Sequence, residues 1–241
     1  MNIDNKGLSY FNETSKGEEI TFKLSGLEIK SEFYKLIDNP NYIIKKSFRE
    51  INSEALLDML YRFSEIKDKI TLTDLPISYY LEDNVIAGSV IPYYEDSENL
   101  YNISKTKELS NLSKVYKRDD DNIRNLFILY SEIIDIIEEL YDNGICYYDS
   151  NSTNFVFKDN KVHLIDFDPS YIKFNTRRKA TIQTLSGIDD LADRMNGRFL
   201  SYDEWPYLPR SFNNLRKHLV KIENRVRKRR NVWKRRIINW W

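Results

Sequence analysis

Two acidic residues and one amide stand close together in one stretch of the chain, residues 143–168. Asp149 precedes Asn154 by five positions, and Asp166 follows Asn154 by twelve. The apolar runs 155–157 and 162–165, with a polar turn between them, predict a β-hairpin that separates these side chains. Carboxylate and amide oxygens at the mouth of a hairpin can hold a hard cation and orient a hydroxyl group. The alternative is that Asp149 and Asp166 only cap loops.

The same stretch resembles the catalytic half of the protein-kinase-like superfamily. The family's catalytic loop has the pattern H-R-D-x-x-x-x-N and its metal motif is D-F-G; this chain has YYDSNSTN at 147–154 and DFD at 166–168. The resemblance covers roughly residues 24–195. It implies that Asp149 is the catalytic base and that Asn154 and Asp166 hold Mg²⁺ against the phosphates of ATP.

The chain departs from the family pattern inside both motifs. Tyr147 replaces the histidine and Tyr148 the arginine that commonly receives a phosphorylated activation segment, so control by such phosphorylation is not expected. Asp168 replaces the glycine of the metal motif, either as an additional ligand or as a cap of the turn before Pro169. Asp189 is the candidate for the aspartate that braces the catalytic loop in the family.

The resemblance also places a phosphate-covering loop at 26–33. Only the first of the family's three glycines, Gly26, is present, and Ser31 stands in place of the third. Because glycines let backbone amides approach phosphate oxygens, their loss predicts a stiffer loop with weaker phosphate binding. An ordinary β-turn is the equal alternative for this segment.

The family's nucleotide-binding lysine matches Lys45, in the run 42–45, with Lys46 as the alternative. Strand alternation sends these two lysines to opposite faces, so only one can reach the site. Glu54, in the first turn of the following helix, is the expected partner of the lysine, with Glu50 as the alternative. Tyr93 lies where the family's hinge contacts adenine.

Local patterns predict the elements that must position these residues. We expect strands at 21–24, 32–37, 42–46, 77–81 and 85–93, and helices at 53–63 with Ser53 as N-cap, at 122–141 ending at Asn143-Gly144, at 188–195 and at 212–233. The predicted fold class is α+β, a bilobal protein-kinase-like fold with a small five-stranded N-lobe and a mainly helical, short C-lobe. The predicted boundaries are a flexible N-terminus at 1–20, the N-lobe at 21–94, the C-lobe at 95–209 and a basic tail at 210–241.

Charge is distributed unevenly along the chain. Its 37 basic and 37 acidic residues balance, but twelve of the basic ones and a single acidic one, Glu223, lie from Arg210 onward. With the tail's Trp233, Trp240 and Trp241, this run suits an anionic membrane, nucleic acid or an acidic partner. The alternative is a helix that folds back on the acidic remainder of the chain.

The composition favours a cytoplasmic protein that can also lie peripherally on membranes. The single Cys146 excludes an intrachain disulfide, and no signal or membrane-spanning pattern is visible. The leading expectation is an ATP-dependent kinase that phosphorylates a hydroxyl of a protein substrate, with Ser or Thr favoured over Tyr. The alternatives are a small-molecule kinase and a pseudokinase that senses nucleotide or binds a partner.

Overall fold

The structure is a computed structural model of the chain. It describes residues 2–4, 6–21, 31–100, 120–147, 149 and 152–174, and, in the tail, 212–214, 216–217, 219–221, 223–224 and 228. The chain divides into two units. The first contains residues 1–97 and 163–173, and the second contains residues 98–162 and 174–241.

A seven-stranded sheet dominates the first unit. Its strands are β1 (Asn2–Ile3), β2 (Ser9–Phe11), β3 (Lys16–Glu19), β4 (Ser31–Leu36), β5 (Tyr42–Ser47), β6 (Ser78–Glu82) and β7 (Val85–Pro92). Their order across the sheet is β1-β2-β6-β7-β5-β4-β3. All neighbours are antiparallel except β2 and β6, which run parallel.

The predicted fold class is wrong in its architecture, although the chain does mix helices and strands. The sheet has seven strands instead of five, because the first twenty residues, predicted to be frayed, supply β1, β2 and β3. These strands have two to four residues, too few to show an alternating pattern in sequence, and they form by pairing with distant strands. The described part of the second unit contains several short strands as well as helices.

Two-residue turns connect the best-predicted strands. Asp83 and Asn84 join β6 to β7 with φ of 50° and 63°, the left-handed conformation that a tight hairpin needs and that Asp and Asn tolerate. On β5, Ile43 and Ile44 point to opposite faces and both are buried, so the centre of the sheet is covered on both sides. One face carries a core cluster made of Phe11, Leu36, Ile44, Tyr80 and Val90.

Helix α1 (Ser53–Ile66) follows β5. Its buried residues Leu56, Met59, Leu60 and Phe63 recur at helical spacing and form one apolar stripe. The N-cap is Asn52, whose side chain accepts a hydrogen bond from the Ala55 amide at 3.0 Å, so the predicted cap, Ser53, is wrong by one residue.

The second unit contains β8 (Glu98–Asn99), α2 (Asp120–Asp142), β9 (Ile145–Tyr147) and β10 (Phe155–Lys158). Helix α2 ends where Gly144 adopts φ of 83°, as the Asn-Gly pair predicts. A second Asp-Asn turn, at 159–160, leads from β10 into β11 (Lys161–Leu164), whose last two residues belong to the first unit. Short 3₁₀ turns at 13–15, 67–69, 152–154 and 169–171 and the strand β12 (Ile172–Phe174) complete the elements up to residue 174, and the described tail residues between 212 and 228 are helical.

The predicted strand at 21–24 lies outside the described residues from its second position onward, and the predicted helix at 188–195 lies outside them completely. Among the helices that the structure describes, none combines the length and the apolar character needed to cross a membrane.

Gly88 sets the distance between β7 and the strand that carries Lys45. A Cβ at Gly88 would lie 2.1 Å from the Lys45 carbonyl oxygen, so a side chain there must displace the backbone of β5. We predict that Gly88→Ala lowers the free energy of unfolding by about 3 kcal/mol, the upper end of the usual cost of overpacking. Thermal unfolding measures this change. Gly7→Ala is the control: it adds backbone strain of about 1 kcal/mol at φ of 82° but meets no atom within 4 Å. Equal melting temperatures for the two variants would contradict the prediction.

Candidate functional site

The first unit brings Lys45 and Asp166 into contact. Lys45 lies in β5, and Asp166 follows the end of β11 by two residues. The Lys45 Nζ donates a hydrogen bond to the Asp166 Oδ1 at 2.5 Å, although the two residues are 121 positions apart in sequence. The two side chains are 22% and 32% exposed, so the ion pair is partly shielded and still reachable from solvent.

Strand alternation separates Lys45 from Lys46 as expected. Lys46 points to the other face of β5, where its Nζ lies 2.9 Å from Glu82 and 3.4 Å from Glu32. The hydrogen bond to Glu82, followed by the nearby charges of both carboxylates, raises the pKa of Lys46 above its ordinary value. Lys46 is therefore committed to a charge network on the opposite face, and Lys45 is the lysine that meets Asp166.

The predicted partner of Lys45 is wrong. Glu54 is exposed in the first turn of α1, and Glu50 is exposed before the helix begins. Glu54 lies two residues before Leu56, which starts the buried stripe of α1, and this spacing directs it away from that stripe. Within the part of the chain that the structure describes, the carboxylate paired with Lys45 is that of Asp166.

Thr73 fixes the end of the strand that leads to Asp166. The Thr73 hydroxyl is buried; it accepts a hydrogen bond from the Leu164 amide at 3.3 Å and lies 3.5 Å from the Leu164 carbonyl oxygen, to which it donates. The next residue, Asp74, accepts a hydrogen bond from the Tyr94 hydroxyl at 2.8 Å. The Tyr94 ring stacks on His163, with ring centroids 4.1 Å apart. The segment 73–74 therefore supports β11 at two consecutive residues.

The two residues after Asp166 have structural roles. Phe167 is buried and meets the ring of Phe63 on α1 edge to face, with centroids 5.6 Å apart. Asp168 caps the turn at 169–171, because its carboxylate accepts hydrogen bonds from the amide and the hydroxyl of Ser170 at 2.8 Å and 2.7 Å. Of the two roles considered for Asp168, the structure displays the cap.

The second unit orients the amide of Asn154. Its Nδ2 donates to the backbone carbonyl of Asp149 at 2.8 Å and to the hydroxyl of Tyr147 at 3.1 Å. The Thr153 hydroxyl donates to the Asn154 Oδ1 at 3.1 Å. With both amide hydrogens engaged, the oxygen is the part of the Asn154 side chain that can bind a cation, and an amide oxygen accepts more than one partner. The same hydrogen bond connects Asn154 to the backbone of Asp149, the expected base.

The other residues predicted to contact the nucleotide either lie outside the described residues or are engaged within the fold. Gly26 lies outside the described residues. Ser31 is buried at the first position of β4, so it belongs to the sheet rather than to an exposed loop. Tyr93 follows β7, but its amide donates to the Asn41 carbonyl at 2.8 Å. The Tyr93 amide is therefore bonded within the fold, so this amide does not serve as a hydrogen-bond donor to adenine. Asp189 also lies outside the described residues.

Each unit contributes one candidate oxygen ligand for Mg²⁺. Asp166 provides a carboxylate in the first unit and Asn154 an amide oxygen in the second, and both are hard ligands suited to this ion. In the described ranges, no three His, Cys, Asp and Glu side chains form a group that could hold a metal ion by themselves. Mg²⁺ commonly binds one or two protein oxygens and completes its shell with water and phosphate oxygens. Lys45 supplies the positive charge that phosphates require.

Sequence reasoning missed the residues that position the site. Thr73 lies in a polar segment without a motif, and its role depends on a residue 91 positions away. Tyr147 was identified only as a replacement for histidine, yet its buried hydroxyl accepts a hydrogen bond from Asn154. No local pattern could have assigned either contact.

Removing the Thr73 hydroxyl should loosen the end of β11. Thr73→Val leaves the buried Leu164 amide without this partner. We predict that the free energy of unfolding decreases by about 1–3 kcal/mol. For a chain of this size, that loss lowers the melting temperature by about 2–4 °C per kcal/mol. Thr73→Ser, which keeps the hydroxyl, is the matched control and should melt closer to the wild type. If Val and Ser variants melt alike, the hydroxyl does not support the strand.

No protein-family model matches this chain, and no curated protein shows significant similarity to it.

Proposed function

We propose that this chain is an ATP-dependent, Mg²⁺-assisted phosphotransferase that acts on a hydroxyl group of a protein, with Ser or Thr favoured over Tyr. The observation that supports it best is the ion pair between Lys45 and Asp166. These two residues are the ones that the protein-kinase-like motifs assign to the nucleotide phosphates and to the cation.

The ion pair between Lys45 and Asp166 is expected to contribute little to stability by itself. Exposed ion pairs contribute little, about 0–1 kcal/mol, and shielding both charges from water costs free energy that their attraction repays only partly. A pair of packed apolar side chains would stabilise the same position as well or better. The pair differs from the comparably exposed network of Lys46 in one respect: Lys45 and Asp166 are the residues that the motifs assign to a phosphate and to a cation.

Each residue has a role that follows from its chemistry. By the motif resemblance, Lys45 would neutralise phosphate oxygens, and Asp166 and Asn154 would hold the cation through oxygen atoms. The bound Mg²⁺ would stabilise negative charge on the transferred group. Asp149 accepts the proton of the acceptor hydroxyl, and the hydrogen bond from Asn154 to its carbonyl holds the loop in place.

A second candidate is a module that binds nucleotide or a partner without transferring phosphate. Three observations favour it: Glu54 does not brace Lys45, Ser31 lies in a strand, and the Tyr93 amide is occupied by Asn41. All three reduce the number of groups that hold a nucleotide in one productive position. Where the module binds nucleotide, the two candidates predict the same nucleotide binding but different turnover.

Nucleotide binding should depend on Lys45 and not on Lys46. With Mg·ATP at about 100 times its dissociation constant, the folded state gains about 2.7 kcal/mol, which raises the melting temperature by about 5–10 °C. Lys45→Met should abolish this shift because the phosphates lose their cation. Lys46→Met, the matched control, should lower the melting temperature itself, since Glu32 and Glu82 lose their partner, but keep the shift. A shift that survives in Lys45→Met would contradict the assignment.

Phosphate transfer should require both proposed carboxylates. We expect Asp149→Ala and Asp166→Ala each to abolish phosphorylation, detected by mass spectrometry of the protein and a panel of protein and small-molecule acceptors after incubation with Mg·ATP. Asp168→Ala is the control, because Asp168 caps a turn and should leave transfer intact. Transfer that persists in Asp149→Ala would reject the role of the base. A nucleotide-induced shift without any transfer would favour the binding module.

A further inference from the structure

The described tail residues between 212 and 228 are helical and have two different faces. One face is buried or half-buried and comprises Phe212, Arg216, Leu219 and Glu223. The other face is exposed and comprises Asn213, Asn214, Lys217, Val220, Lys221, Asn224 and Lys228. Both sets recur at steps of three and four residues, as the two sides of one helix do. We call the second set the lysine face.

Contacts with α2 hold the inner face in place. The Arg216 guanidinium donates to Asp135 at 2.5 Å and also pairs with Glu138. The Phe212 ring meets Tyr141 edge to face, with centroids 5.4 Å apart. All of these residues belong to the second unit. The start of the tail therefore packs against the acidic part of the chain, as one of the sequence alternatives expects, and this packing determines which side remains exposed.

The lysine face has the chemistry of a polyanion-binding surface. Its three lysines occupy positions i, i+4 and i+11, a spacing that places residues on the same side of a helix. Its other members are three asparagines and Val220, so the described exposed residues of this helix include no carboxylate. In sequence, seven more cationic residues follow or intervene: Arg225, Arg227, Arg229, Arg230, Lys234, Arg235 and Arg236.

We propose that the lysine face is a docking surface for the phosphate backbone of a nucleic-acid duplex. This inference is independent of the proposed phosphotransferase activity. Lysines and asparagines are the side chains that contact phosphate oxygens without selecting a base. The remainder of the chain is acidic, with 36 acidic and 25 basic residues before Arg210, and would repel phosphates. Because the acidic residues before Arg210 repel a polyanion, we expect it to bind at the lysine face.

Two other anionic partners fit the face less well. An interfacial membrane helix inserts an apolar side into the lipid, but here the apolar residues Phe212 and Leu219 are buried. Proteins that bind single strands stack bases on aromatic side chains, and the described residues of the lysine face include no aromatic one. A regular row of phosphates is the partner that a row of lysines matches.

The test measures binding of the full chain to a labelled duplex of about 20 base pairs, DNA in one arm and RNA in the other, by fluorescence anisotropy between about 50 and 200 mM salt. The tail variant, which carries Lys217→Gln, Lys221→Gln and Lys228→Gln, should bind the duplex about tenfold or more weakly. Its plot of log affinity against log salt should be shallower, with the magnitude of the slope reduced by about three. The matched control replaces Lys6, Lys67 and Lys69, three exposed lysines of the first unit, by Gln and should bind as the wild type does.

The proposal is supported if the tail variant loses affinity for either duplex and the control variant does not, with both variants folded by circular dichroism. It is overturned if the wild type does not bind either duplex at low salt. It is equally overturned if both triple variants lose the same affinity, or if the chain binds phosphatidylserine vesicles but neither duplex.

Discussion

The contact between Lys45 and Asp166 joins two parts of the chain that lie 121 positions apart. Lys45 depends on the register of β5 in the sheet, and Asp166 depends on the end of β11. A partly shielded ion pair contributes little to stability and is sensitive to the loss of either partner. The surrounding structure must therefore hold both charges in place, and much of the first unit is arranged to do so.

Small and buried residues provide that support. Gly88 lets β7 approach the backbone of Lys45, and Thr73 binds the last residue of β11 through a buried hydroxyl. Phe167 packs against Phe63 of α1 and so fixes the residue beside Asp166. In the second unit, the two amide hydrogens of Asn154 are engaged by Tyr147 and by the carbonyl of Asp149. In each case, a packed or hydrogen-bonded neighbour restricts the position of a proposed site residue or of a segment next to one.

Charge is also separated within single elements. Neighbouring lysines of β5 serve different faces, one in the pair with Asp166 and the other in a network with Glu32 and Glu82. The tail divides its charges in the same way, because Arg216 is used against α2 while Lys217 and Lys221 remain exposed. Alternation in the strand and helical periodicity in the tail produce these divisions from adjacent residues.

The sequence alone determined the elements that rest on local signals. The two Asp-Asn turns, the apolar stripe of α1 and the end of α2 at Gly144 depend on residues close together in the chain, so pattern and conformational preference were sufficient. Motif resemblance also singled out Lys45, Asn154 and Asp166. Only the tertiary structure decided that three short N-terminal strands complete a seven-stranded sheet, that Asp166 and not Glu54 pairs with Lys45, and that Thr73 supports β11. Those outcomes depend on contacts between segments that are distant in the chain. Strand register and burial determine which segments pair, and local periodicity in the sequence shows neither of them.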